Sequence, residues 1–123
     1  MTRCDPHGIT LERLRGRIQI FIADTFAARA RGLLVSAPLS PDQALLILPC
    51  CSIHTFGMRY AIDVLFLDRR ARVVALHERM SPWRIAGALG ARAALELPAG
   101  CASTLGIEPG DVLPELQLLL ARP

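Results

Sequence analysis

Residues 62–78 read Ile62-Asp63-Val64-Leu65-Phe66-Leu67-Asp68-Arg69-Arg70-Ala71-Arg72-Val73-Val74-Ala75-Leu76-His77-Glu78. Two apolar runs rich in Val, Ile, Leu and Phe flank a charged turn, and each is of strand length rather than helix length. The run Ile62 to Leu67, the turn Asp68-Arg69-Arg70-Ala71 and the run Arg72 to Glu78 therefore predict an antiparallel hairpin. No Asn-Gly or Asp-Gly pair sits in the turn, so the prediction rests on the flanking runs.

Further strands are read outward from this hairpin. Leu11 to Ile22 contains the alternation Arg17-Ile18-Gln19-Ile20-Phe21-Ile22, and Ala44 to Leu48 is a continuous apolar run ended by Pro49. Ser52 to Met58 joins the hairpin through Arg59-Tyr60-Ala61, Ala93 to Leu97 ends at Pro98-Ala99-Gly100, and Val112 to Leu120 is the last strand expected. Asp24-Thr25 offers an N-cap to a short helix over Phe26 to Arg31, closed by Gly32. Cys101 to Leu105 predicts one helical turn before Gly106, and Glu108-Pro109-Gly110-Asp111 carries the signature of a type II turn. Ser36 to Gln43 and Arg79 to Gly90 are expected as loops. About seven short strands with one or two short helices give a mostly β, compact, single-domain sandwich or closed barrel.

The 123 residues fit one domain, with residues 1–10 expected as a flexible N-terminal segment. At this length a chain buries roughly 65–70% of its unfolded surface, so a core forms without staples. Although 52% of the residues are hydrophobic, no apolar run approaches the roughly 18–20 residues of a spanning helix. The start, Met1-Thr2-Arg3-Cys4-Asp5-Pro6-His7-Gly8, lacks an apolar signal region, which gives a cytoplasmic expectation. In that compartment the four cysteines are read as reduced thiols. The net charge is +3, and all 14 basic residues are arginine. They are scattered among acids with few aromatics for stacking, which argues against nucleic-acid binding. A monomer or weak homodimer without a cofactor is expected.

Chemistry concentrates between Cys50 and Asp63. Cys50, Cys51, His54 and Met58 form a soft ligand set suited to Cu(I) or Zn(II). If 52–58 were one strand, Cys50, His54, Phe56 and Met58 would share a face, yet same-face neighbours lie about 6.5–7 Å apart and Cys50 to Met58 spans too far for one ion. A buried free thiol and a core imidazole with one hydrogen bond explain the same letters. Cys50 or Cys51 with His54 and Asp63 has the residue types of a thiol triad, but no sharp nucleophile turn or glycine-rich oxyanion segment adjoins the cysteines. Asp63 inside an apolar strand calls for a guanidinium (Arg31 or Arg59) or backbone N–H groups, either as a structural pin or as a ligand-orienting carboxylate. Trp83, beside Pro82 and Arg84, is a lid on the core or an exposed anchor for a partner. Glu96 and Asp111 read as acceptors at strand ends and turns.

Five motifs in order, Arg29-Ala30-Arg31-Gly32-Leu33-Leu34, Thr55-Phe56-Gly57-Met58-Arg59, Ile62 to Asp68, Leu95 to Gly100 and Gly106 to Asp111, resemble an uncharacterised prokaryotic family, domain of unknown function 192. The resemblance covers about Ile18 to Leu118. It implies a compact, mostly β domain with one or two short helices, and it implies no activity. Relatives often carry an N-terminal signal or lipid anchor, which this start departs from. They typically place Asn where this chain has Tyr60, and the Cys50 to His54 run looks like a subgroup feature.

The expectation is a non-enzymatic binding or accessory module. Its pocket or groove is built from His54, Phe56, Met58, Arg59, Tyr60 and Asp63, with Arg31 and Trp83 at the edge, and takes a small ligand or a partner peptide. Soft-metal binding by Cys50, Cys51, His54 and Met58, or a small thiol-dependent enzyme, are the alternatives.

Overall fold

The computed structural model describes residues 9–23 and 40–121. The expected helix Phe26 to Arg31, most of the loop from Ser36, and Arg31 itself lie outside the described residues. Strands β1 (Ile9–Arg13) and β2 (Gly16–Ala23) form an antiparallel hairpin, and β3 (Gln43–Ile47) runs parallel to β2. The 62–78 stretch forms the expected hairpin of β5 (Ile62–Leu67) and β6 (Val73–Met80), with Leu65 opposite Leu76 and two register shifts. Strand β8 (Ala93–Pro98) inserts between β3 and β5, giving the order β1-β2-β3-β8-β5-β6. A second, two-stranded sheet pairs β4 (Ser52–His54) with β7 (Ile85–Gly87).

Neither sheet closes on itself, so the mostly β domain is an open two-sheet arrangement and not a barrel. Central strands β5 and β8 are buried on both faces, which is why they read as continuous apolar runs. Alternation divides their side chains between two clusters. Leu65, Leu67, Leu95 and Leu97 join Leu11, Ile20, Leu105 and Leu116 on one face. Val64, Phe66 and Ala94 join Leu45, Ile47, Ile53 and Met58 on the other.

Four expectations are corrected. Of residues 1–10, expected as a flexible segment, Ile9 and Thr10 instead open β1, paired opposite Ile20 and Gln19, and residues 1–8 lie outside the described residues. The strand expected over Ser52 to Met58 stops at His54, where Gly57 at φ 83° and a Met58 N–H bond to the Thr55 carbonyl (3.2 Å) turn the chain. The loop Arg79 to Gly90 contains β7, too short for periodicity to reveal. Val112 to Leu120 is not a strand: Val112 makes one bridge to Arg72, then a 3₁₀ turn (Pro114–Leu116) leads into helix α2 (Gln117–Leu120). Pro114 sits where a helix start tolerates a missing N–H, and Leu113, Leu116 and Leu120 are buried at helical spacing. Helix α1 (Cys101–Leu105) forms as expected, closed by Gly106 at φ 71°.

Candidate functional site

Two loops, 55–60 and 81–84, are locked together by Thr55. Its hydroxyl donates to the Ser81 carbonyl (2.7 Å) and accepts from the Arg84 N–H (2.9 Å). Its own N–H donates to the Arg84 carbonyl (2.9 Å), and its carbonyl accepts from the Trp83 N–H (3.0 Å). A fully buried threonine thus satisfies every polar group it has by holding a partner loop. Trp83 sits at φ 65°, a conformation that costs a bulky residue on the order of 1–3 kcal/mol and persists only when its surroundings impose it.

The result is an aromatic ridge. Phe56 stacks on Trp83 with ring centroids 5.7 Å apart at 25°, and His54 packs against Phe56 at 4.9 Å. The Phe56 N–H donates to His54 Nδ1 (3.3 Å), and Ile85 lies opposite His54 across the β4–β7 pair. These side chains face solvent: Phe56 is 39%, Trp83 69% and Ile85 70% exposed. Arg59 and Arg84, both exposed, flank the ridge in sequence. Below Ile85 opens a cleft of about 450 Å³ lined by His77, Met80, Ser81 and Arg84.

The other expected site residues lie elsewhere. Met58 points into the cluster beneath the β4–β7 sheet, and half-buried Tyr60 packs against that cluster. Burial, and then the charge of Glu96, raise the Tyr60 phenol above its ordinary range. Asp63 lies on the opposite face of β5. Its Oδ1 accepts from the Arg79 N–H (2.8 Å) and the Gly100 N–H (3.1 Å), and its Oδ2 from the Ala102 N–H (2.9 Å). Backbone donors at the entry to α1 hold this carboxylate. Cys50 donates its thiol to the Ser52 carbonyl (3.0 Å), while Cys51 and His54 are exposed and Met58 is buried. The four soft-ligand candidates therefore diverge, and among the described residues no three His, Cys, Asp or Glu side chains converge on one point.

Sequence reasoning misplaced Glu96. It stands mid-strand in β8, opposite Leu45 and Val64, and is only 3% exposed. Among the described residues its Oε2 has no hydrogen-bond partner, and burial raises its carboxyl to about 7. The signal was present: Leu95-Glu96-Leu97 repeats the lone-acid pattern of Ile62-Asp63-Val64. Thr55 and Ile85 were also overlooked, since neither residue type announces a hub or a ridge.

Residues 9–114 match the family model described as "Uncharacterized ACR, COG1430", domain of unknown function 192. A UPF0127 protein of Thermococcus sibiricus is 37% identical over 110 residues, covering 82% of this chain and 70% of that protein. A UPF0127 protein of Pyrococcus horikoshii is 40% identical over 100 residues, covering 76% of this chain and 84% of that one. The crystal structure of a protein of unknown function from Novosphingobium aromaticivorans superimposes with a TM-score of 0.72 at 26% identity, covering 85% of this chain and 81% of that one.

Proposed function

The chain belongs to the family of domain of unknown function 192, whose description names no activity, and from its own geometry we propose that it is a non-enzymatic binding module that recognises a partner protein. The contact surface is the ridge of His54, Phe56, Trp83 and Ile85. The observation that carries this reading is the solvent-facing Phe56–Trp83 stack on a backbone that holds Trp83 at φ 65°. Exposed aromatics and arginines are favoured interface anchors, and a surface already rigid loses little entropy on binding. Arg59 and Arg84 favour an acidic residue beside the apolar contact.

The divergence of Cys50, Cys51, His54 and Asp63 supports binding over thiol chemistry, because Asp63 is committed to main-chain donors on the far face of β5. The free thiols of Cys51 and Cys101 suit a reducing, cytoplasmic setting. Among the described residues, no helix is long and apolar enough to cross a membrane.

Site-specific photocrosslinking in cells tests the ridge. A benzophenone amino acid replaces Trp83 in one variant and fully exposed Leu14, in the β1–β2 turn, in another. One protein crosslinked from Trp83, absent from Leu14 and lost on adding Phe56→Ala, is the expected result. The same crosslinked set from both positions would remove the ridge as a recognition surface.

A further inference from the structure

Strand β6 is the last strand in its sheet, bonded to β5 on one side. Among the described residues its outer side is bonded only at the start, where the Val73 N–H donates to the Asp111 carbonyl and the Val73 carbonyl accepts from the Gly110 N–H, both at 2.8 Å. Beyond that point no other strand pairs with this edge among the described residues. A terminal strand offers main-chain donors and acceptors to any extended chain that can reach it.

The flanks of this edge are shaped. The 450 Å³ cleft beside Arg84 and Ile85 and a second cleft of about 490 Å³ beside Ile107 and Glu108 share Leu76 and Glu78. Both border β6, one on the side of Arg84 and Ile85 and the other on the side of Ile107 at the end of α1. The register shifts leave only Ala75, Leu76 and His77 in regular pairing with β5. Bulges at both ends of so short a stretch disfavour long edge-to-edge pairing with a second copy and suit a short segment. Charge differs between the clefts: Arg84 lines only the ridge-side one, Glu108 lines only the other, whose wall has no basic residue, and Glu78 lines both.

We propose that β6 takes up a short extended segment of a partner protein as an added strand, with an apolar and an acidic residue toward Trp83 and a Lys or Arg toward Glu78 and Glu108. This deepens the ridge reading and rests on it for the apolar contact alone. Main-chain bonding to β6 supplies affinity, and the two clefts beside it supply register.

The test selects a random heptapeptide library against the folded protein and measures chosen synthetic peptides by calorimetry. The expected peptides carry a basic residue, lose at least tenfold in affinity against Glu78→Lys/Glu108→Lys, and slow amide exchange across residues 74–78. N-methylation of the peptide should abolish binding at alternate positions and be tolerated between them, because a strand turns every second N–H toward its neighbour. Binding indifferent to that alternation, the absence of any binder, or a dimer that protects β6 without peptide would each overturn strand addition. The two readings separate with Trp83→Ala. Weakened binding without alternation overturns the added strand and keeps the ridge, whereas intact alternation with unchanged affinity overturns the ridge and keeps the strand.

Discussion

Asp63 and Glu96 are lone acids in neighbouring apolar strands, and the chain treats them in opposite ways. Asp63 accepts three main-chain N–H bonds that tie β5 to β6 and to the start of α1. An amide in its place turns a donor toward one of those donors, so Asp63→Asn is expected to destabilise by about 3 kcal/mol, read from urea unfolding. A loss below about 0.5 kcal/mol would show that these bonds are dispensable. Among the described residues Glu96 has no such donor at Oε2, and its carboxyl is raised from 4.5 to about 7. The folded state therefore holds its proton more tightly than the unfolded state. Stability from this group is complete below pH about 4.5 and declines as pH rises through about 7, by up to about 3 kcal/mol. Glu96→Gln should flatten that part of the stability–pH curve, and an unchanged slope would assign it to other groups. Asp63 stood out in the sequence as a charge inside an apolar run, whereas Glu96 was read as an acceptor at a strand end; what balances Asp63 was not legible, because its partners are backbone groups distant in the chain.

At the scale of elements, the best-read pieces are those whose signal is local. The β5–β6 hairpin and α1 follow from run length, turn residues and a glycine stop. Strand β4 was read too long, and β7 with its pairing was missed, because a strand as short as Ile85–Gly87 carries no period and exists through pairing with β4. Val112 to Leu120 was misread because a leucine run suits strand and helix alike, and burial of Leu113, Leu116 and Leu120 decides for the helix. Thr55 governs the ridge as a unit. Thr55→Val keeps the volume but removes the hydroxyl, with an expected loss of about 1–3 kcal/mol and greater iodide quenching of the single Trp83. Quenching equal to that of the parent protein would mean the loop holds without Thr55. At Gly100, φ is +86° and an added Cβ would stand 2.9 Å from Arg79 Nη2, so Gly100→Ala is expected to lower the thermal midpoint by several degrees. An unshifted midpoint would mean the turn relaxes freely.

Across the whole molecule, two apolar clusters on either face of the large sheet share its central strands, so damage to one is felt by both. Phe66, fully buried beneath the β4–β7 sheet, tests this: Phe66→Ala should cost about 3–5 kcal/mol in a single cooperative transition. Two separate transitions would show the small sheet melting on its own. The sequence by itself determined a mostly β chain, the central hairpin and the segment in which the unusual side chains lie. Those follow from alternation, turn chemistry and composition, which act between near neighbours. Only the tertiary structure decided that the sheet stays open and that Met58 and Asp63 leave the surface while His54, Phe56 and Trp83 meet on it. The bonds responsible join Thr55 to residues 26 and 29 positions away and Asp63 to residues 16, 37 and 39 positions away. Contacts at that separation are set by how strands pack, and no local pattern encodes them.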